Sequence, residues 1–146
     1  MFVSARAHYA TLALLELAIR RDDDAPVTAA EITRRHGVPG PFLTQIMRTL
    51  RSAGWVQSIR GASGGFRLAV DPAKLTLMDI VRAMDGPGTQ VACRDTAHGG
   101  GPMLAEIWND ARAAFEATLA EQSLECLTRE ARRRETVARE APMYFI

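Results

Sequence analysis

Apolar residues recur at helical spacing in the N-terminal part of the chain, and capping residues mark the ends of each segment. Ser4 is suited to cap a first helix that runs to about Arg21. Thr28 and Glu31 frame a capping box, and the short helix that it opens is expected to end at Gly37. The pattern therefore predicts two helices separated by an acidic turn.

A third helix is predicted over residues 41–53, with Pro41 in its first turn and Gly54 after its end. Its apolar positions recur at i, i+3, i+4 and i+7, so they must face inward: Leu43, Ile46, Met47 and Leu50. The opposite face carries no acid and presents Pro41, Thr44, Gln45, Arg48 and Ser52. A polar, cationic helix face of this kind can meet phosphates and base edges in the major groove of DNA.

Two short apolar runs at 55–59 and 66–70 predict the strands of an antiparallel hairpin. The turn between them is rich in glycine, which allows positive φ angles and a close approach to a DNA backbone. Arg60 and Arg67 flank this turn and would supply charge at a minor groove. Glycine-rich turns also occur as ordinary loose turns, but the position directly after an arginine-bearing helix favours a DNA-contacting wing.

The second half of the chain predicts two further helices with a loop between them. Thr76 and Asp79 form a second capping box, for a helix that is expected to end at Asp85. Glycine and proline are concentrated in residues 87–102, which predicts a loop. The helix predicted from Met103 is longer than a small domain needs for its own core, which favours a partner helix. Its apolar stripe consists of Leu104, Ile107, Trp108, Ala111, Phe115 and Leu119.

The order of helix, short helix, turn, helix and hairpin is that of a winged helix-turn-helix. The predicted fold class is therefore mainly α, with a small two-stranded β wing and a long C-terminal dimerisation helix. The chain divides into four predicted segments. They are a DNA-binding domain at 1–86, a glycine-rich sensor or effector loop at 87–102, a dimerisation helix at 103–128 and a charged tail at 129–146.

The distribution of charge along the chain, rather than its net value, supports a nucleic-acid partner. The 146 residues carry a net charge of +1, yet residues 28–70 contain six arginines and one glutamate. A basic block suits a polyanion, and nucleic acid is the commonest one. A winged helix that contacts only acidic proteins would use the same charge, so this alternative stays open. The predicted DNA-binding residues are Pro41, Phe42, Thr44, Gln45, Arg48, Arg51, Arg60, Gly64, Gly65 and Arg67.

Three motifs resemble those of the IscR/NsrR-type winged-helix regulators of bacteria, the Rrf family. They are S-x-R-x-x-Y-A at residues 4–10, LTQIMRTLRSAGWVQSIRGASGGFRL at 43–68 and LMDIVRAMDGP at 77–87. The resemblance covers roughly residues 1–125. It implies a homodimer with crossing C-terminal helices that binds a near-palindromic double-stranded DNA operator as a transcriptional regulator, with repression the expected outcome.

The resemblance also assigns positions. It places Pro41, Phe42, Thr44 and Gln45 at the recognition-helix contacts of the family, and Arg60 with Gly64 and Gly65 at its wing contacts. The family often carries glutamate where this chain carries Thr44. An operator sequence therefore cannot be transferred from a relative.

The sequence says least about the signal to which such a regulator would respond. Relatives with an iron–sulfur cluster place three cysteines in the loop before the long helix, and here only Cys93 is present, so that three-cysteine site cannot form. A mixed intersubunit site built from Cys93 and His8, with His98 nearby, is one alternative. Direct thiol sensing is a second, because Arg94 follows Cys93 and a nearby cation raises thiol reactivity. A small organic effector bound between the wing domain and the dimer helix is a third.

Other classes of protein are disfavoured. No catalytic triad order, paired-carboxylate loop or phosphate loop is recognisable, so an enzyme is not expected. Two cysteines are too few for a disulfide-stapled secreted scaffold, and no apolar run approaches the length of a membrane span. The expected location is the cytoplasm, with no membrane partner.

Overall fold

The computed structural model describes residues 3–86 and 100–140. In these residues the winged helix-turn-helix order is present, and the chain continues into two C-terminal helices. The elements are α1 (Ala5–Ile19), α2 (Ala29–His36), α3 (Gly40–Ser52), β1 (Val56–Ile59), β2 (Gly65–Leu68), a 3-10 turn (Pro72–Lys74), α4 (Leu77–Asp85), α5 (Gly101–Ala120) and α6 (Leu124–Glu140). The predicted fold class, mainly α with a small two-stranded β wing and a long C-terminal helix, is confirmed.

Helix α1 forms the centre of the core. The Ser4 hydroxyl oxygen accepts a 3.0 Å hydrogen bond from the Ala7 amide and caps the helix as predicted. Its small residues let neighbouring helices approach closely, and α3, α4 and α6 all pack against it. Its fully buried apolar side chains are Ala7, Ala10, Ala13, Leu14, Leu17 and Ala18. The helix ends before the predicted Arg21, because Arg20 already has a non-helical conformation and serves as its C-cap.

Helix α3 begins at Gly40, with Pro41 in its first turn. Its four inward apolar side chains are at most 2% exposed: Leu43, Ile46, Met47 and Leu50. The predicted orientation of the helix is therefore confirmed. Burial of this stripe forces the opposite face into solvent.

The wing is a two-stranded antiparallel sheet with one additional backbone contact. The register pairs Val56 with Leu68 and Ile59 with Gly65. On the other edge of β2, Val27 and Phe66 exchange backbone hydrogen bonds of 3.0 and 2.8 Å. This bridge fixes the hairpin to the segment that leads into α2.

The C-terminal segments differ from the predicted boundaries. In place of the single helix predicted over 103–128, α5 ends at Ala120 and a new helix begins at Leu124. The break is anchored, since the Leu77 amide donates to the Gln122 carbonyl at 2.9 Å and the Leu124 amide donates to the Leu75 carbonyl at 2.8 Å. Leu124 is fully buried at this corner.

The segment predicted as a charged tail is helical to residue 140. It belongs to α6, which runs back along α1 and the 3-10 turn. Residues 141–146 of that segment lie outside the described residues. No helix within 3–86 or 100–140 is long and apolar enough to span a membrane.

Candidate nucleic-acid interface

The outward face of α3 is polar and exposed. Thr44, Gln45 and Arg48 are all solvent-exposed, and the Phe42 ring at the start of the helix is 47% exposed. The Thr44 and Ser52 hydroxyls donate to carbonyls one turn earlier in the same helix, at 3.2 and 3.1 Å. The longer side chains of this face therefore carry the donors that can extend outward.

The arginines of α3 have no carboxylate partner among residues 3–86 and 100–140. In the described part of the chain, neither Arg48 nor Arg51 makes an ion pair, and neither guanidinium makes a side-chain hydrogen bond. The sequence explains this, because residues 32–70 contain no aspartate or glutamate. Their positive charge is therefore available to an external anion.

The same two arginines line a groove between the helix and the wing. Arg48 and Arg51 form one wall of this groove, and Gln57 and Ser58 of β1 form the other. A neighbouring hollow continues from Thr44 to Ser58 across the same surface. Helix α3 and the wing strand consequently present one continuous cationic surface.

The wing glycines are required by the protein's own packing. Gly61 has a φ of +113°. A Cβ on Gly64 would lie 2.5 Å from the Ile59 carbonyl oxygen, and one on Gly65 would lie 2.6 Å from the Val27 carbonyl oxygen. Close approach to DNA is the reason expected from the sequence, but the turn and the Val27 bridge already demand glycine at these positions.

The two arginines that flank the wing turn have different surroundings. Arg60 is exposed and has no hydrogen-bond partner for its side chain among the described residues. The Arg67 guanidinium donates to the Asp23 carbonyl at 2.9 Å and also to the Asp24 carbonyl. Arg67, predicted as a DNA contact, is thus engaged in holding β2 to the turn between α1 and α2.

The N-terminal turn of α1 supports α3 from the side. Arg6 Nη2 donates to the Thr49 hydroxyl oxygen at 3.0 Å, and the Tyr9 ring meets the Phe42 ring edge to face at 6.2 Å. Arg6 and Tyr9 are not among the functional residues predicted from the sequence. The S-x-R-x-x-Y-A motif is the signal that could have identified them.

A buried carboxylate is also absent from the residues predicted from the sequence. Glu16 on α1 is 2% exposed, and its Oε2 lies 3.0 Å from both Arg35 Nε and His36 Nε2. Arg35 also pairs with Glu135 of α6. From its position in the sequence, His36 is expected only to complement the dipole of α2. No local pattern identifies this cluster, because its members are brought together by the packing of three helices.

A second ion-pair cluster joins α1 to the capping box of α2. Arg20 donates to Asp23 at 2.7 Å and to Glu31 at 2.8 Å, while Glu31 also accepts from the Thr28 amide at 2.7 Å. The Arg20 guanidinium, followed by the bonds from Thr28, lowers the pKa of Glu31 from 4.5 to about 2. The carboxylate therefore stays ionised and holds the start of the helix-turn-helix.

Helix α5 leaves its apolar stripe uncovered. None of its residues is buried, and Leu104, Ile107 and Trp108 are 45%, 50% and 43% exposed. Ala111, Phe115 and Leu119 are half-buried on the same helix. A contiguous exposed apolar patch of this kind marks an interaction surface.

The predicted sensor residues are only partly covered by the structure. Cys93 and His98 lie outside the described residues, and His8 is exposed on α1 beside the Tyr9 ring. Cys126 has a free thiol, half-buried beside Arg129. The mixed Cys93 and His8 site, thiol sensing by Cys93 and the small-molecule effector therefore stay predictions.

The donor set does not fit a three-cysteine iron–sulfur cluster. The whole chain has two cysteines, whereas such clusters require mostly thiolate ligands. Across residues 3–86 and 100–140, no group of three or more His, Cys, Asp or Glu side chains could hold a metal ion. The thiolates of one chain are therefore too few to ligate a cluster of that type.

Comparison with known proteins agrees with this geometry. A putative rrf2-like regulator of Rhodobacter capsulatus is 43% identical over 93 residues, a match that spans 62% of each chain. The transcriptional regulator CymR of Bacillus subtilis is 32% identical over 127 residues, which cover 87% of this chain and 89% of CymR.

Solved structures show the same architecture. The structure of CymR, the global cysteine regulator of B. subtilis, superposes with a TM-score of 0.78 at 30% identity, over 89% of this chain and 98% of that one. The IscR of T. potens gives a TM-score of 0.73 at 29% identity, over 90% and 88%. The model of the Rrf2 family, described as an iron-dependent transcriptional regulator, matches residues 3–130. The chain therefore belongs to the Rrf2 family of DNA-binding, winged helix-turn-helix transcriptional regulators.

Proposed function

We propose that the protein binds a near-palindromic operator as a homodimer, with α3 in the major groove and the wing turn at the adjacent minor groove or backbone. The observation that carries this proposal is the acid-free cationic surface shared by α3 and β1. Arg48 and Arg51 line it without a carboxylate partner among the described residues. Phosphate groups are the anions that such a surface fits.

The side chains of the proposed interface have different tasks. Gln45 is suited to base edges, because its amide can both donate to and accept from adenine, and Thr44 is suited to less selective contacts. Arg48 and Arg51 are suited to phosphates, which position the protein without reading sequence. Arg60 is suited to the minor groove at the wing. Pro41, Phe42, Gly64 and Gly65 complete the proposed interface, while Arg67 is assigned to holding the wing.

The proposed homodimer explains the uncovered stripe of α5. Palindromic operators are read by proteins with two-fold symmetry, in which the same surface of each subunit meets its copy. The stripe extends along a 20-residue helix, and its exposed aromatic and aliphatic side chains supply the apolar area that a stable interface needs.

Selection of DNA tests the proposed interface. The full chain is used to select duplexes from a random pool of about 30 base pairs, long enough for two half-sites one helical turn apart. The proposal predicts enrichment of an inverted repeat. A Gln45→Ala variant should relax selectivity at one base position in each half-site, and Arg48→Ala should weaken binding to all sequences alike. Failure of the chain to enrich any sequence would contradict the proposal.

Replacing apolar side chains of α5 tests the dimer. Trp108→Ser combined with Phe115→Ser should produce monomers on size-exclusion chromatography, since two large side chains leave the stripe. Val137→Ser on α6 is the matched control, because Val137 is also an exposed apolar residue but is not on the stripe. A double variant that still elutes as a dimer would exclude α5 as the dimer interface.

A further inference from the structure

Glu16 is an exception among the buried residues. Nearly all of them are apolar, yet this carboxylate, in the last turn of α1, is 2% exposed. A buried charge is costly unless it is paired and hydrogen-bonded. Both conditions are met here, because Arg35 Nε and His36 Nε2 each lie 3.0 Å from the same carboxylate oxygen.

The two partners of Glu16 occupy a particular place in the helix-turn-helix. Arg35 and His36 are the last residues of α2, and the chain then turns at Gly37, which has a φ of +66°. The turn continues through the fully buried Val38, and Pro39 is the N-cap of α3. Because this connection is so short, the position of the α2 C-terminus determines how α3 enters the interface.

The same cluster reaches the C-terminal helix. The Arg35 guanidinium contacts Glu135 of α6 as well as Glu16. Helix α6 is itself held to the end of α1, where Arg132 donates to the Ile19 carbonyl at 2.6 Å. One arginine of α2 therefore joins the buried acid of α1 to the exposed acid of α6.

We propose that Glu16 is a positioning residue for operator binding, and that the Arg35–Glu135 pair makes the orientation of α3 depend on how α6 is docked. This inference rests on the proposed DNA-binding function. The groups that face the carboxylate are the Arg35 guanidinium and the His36 imidazole of α2, and Glu135 of α6 contacts the same guanidinium at Nη2. A ligand or partner that moved α6 would thereby change DNA affinity without touching the interface.

Two glutamates on α6 allow a test that separates positioning from bulk charge. Glu130 pairs with Arg133 and Arg134 of its own helix, whereas Glu135 pairs with Arg35 of α2. Glu130→Gln and Glu135→Gln remove the same charge from the same helix. Bulk electrostatics predicts equal or tighter DNA binding for both variants, because each becomes more positive. Positioning predicts weaker binding for Glu135→Gln alone, by about 5-fold or more.

The measurement is the affinity of each full-length variant for a duplex selected by the wild-type protein, at one fixed salt concentration. Amide chemical shifts of residues 37–43 serve as a second readout, and they should move in Glu135→Gln but not in Glu130→Gln. Glu16→Gln, which keeps a hydrogen-bond acceptor but loses the charge, should weaken DNA binding further while circular dichroism shows the protein folded. If Glu16→Gln fails to fold, the Glu135 comparison decides, because that pair lies at the surface.

The outcomes separate this inference from the function on which it depends. If the wild-type protein binds the duplex and Glu135→Gln binds it as tightly as Glu130→Gln does, with unchanged shifts at residues 37–43, the positioning role is excluded. If the wild-type protein enriches no duplex at all, the proposed function fails instead, and the shift comparison still reports whether α6 is coupled to the turn.

Discussion

Two helices of this protein, α3 and α6, each present at least two arginines to solvent, yet they differ in what surrounds these side chains. On α6, Arg133 and Arg134 contact Glu130 at 2.8 and 2.6 Å, and Arg132 lies 3.9 Å from Asp22. The Arg48 and Arg51 side chains of α3 make no such contact in the described part of the chain. The difference shows that counting cations does not measure available charge, because acids at helical spacing on α6 neutralise what α3 leaves free.

This contrast has a structural origin in the sequence. Helix α6 contains acids as well as bases, so Arg133 and Arg134 find the Glu130 carboxylate three and four residues away. Residues 32–70 contain arginine and no acid, and the packing of four apolar side chains turns the arginines of α3 outward. The chain thus carries a net charge of +1 and still presents an unneutralised cationic surface.

Charge reversal gives the largest expected effect. Arg48→Glu replaces a proposed phosphate contact by a repulsive one in the groove between α3 and β1. Binding to the selected duplex should therefore weaken on the order of 100-fold. Arg134→Glu on α6 makes the same change of charge outside the proposed interface and should change affinity by a few-fold at most. Equal losses in a filter-binding or fluorescence-anisotropy titration would remove the distinction between the two helices.

Replacement of Arg60 at the wing turn gives the second-largest expected effect on DNA affinity. Arg60→Ala should weaken operator binding by about 1–3 kcal/mol, because an exposed guanidinium is lost from the wing turn. Arg67→Ala should instead lower the free energy of unfolding, since its guanidinium holds β2 to the carbonyls of Asp23 and Asp24. An Arg60→Ala variant with wild-type affinity would exclude the wing from the interface.

The sequence was sufficient to predict the order of helices and strands from α1 to α4 and the orientation of α3. Caps and apolar spacing are local signals, and residues such as Thr28 and Leu43 carry them within one or two turns. The Glu16 cluster and the engagement of Arg67 could not be predicted, because their partners are distant in the chain. The same limit explains why the break between α5 and α6 was missed, since it depends on backbone bonds between Leu75, Leu77 and residues 122–124.

The dependence of stability on acidic pH gives a smaller test, on two glutamates that pair with arginines. Glu31 and Glu130 both have pKa values of about 2 because arginines donate to them, but Glu31 joins two elements while Glu130 pairs within α6. A depressed pKa stabilises the folded state above the unfolded value of 4.5, and this stability is lost as the pH falls from 4.5 towards 2.

We therefore expect the free energy of unfolding in urea to decrease between pH 5 and pH 3. Glu31→Gln and Glu130→Gln should each flatten that dependence, because each removes a carboxylate whose pKa is lowered to about 2 in the folded state. An identical pH dependence in Glu31→Gln and wild-type protein would contradict the role assigned to this pair.

The salt dependence of DNA binding tests the central claim most directly. The claim is that Arg48 and Arg51 of α3, which have no acidic partner among the described residues, are the ones that neutralise phosphates. The logarithm of the binding constant for the selected duplex should fall by several units per logarithmic unit of salt. Arg48→Ala combined with Arg51→Ala should make that slope shallower by about 2, while Arg133→Ala combined with Arg134→Ala should leave it unchanged. A slope that responds equally to both pairs, or binding that is insensitive to salt, would contradict this claim.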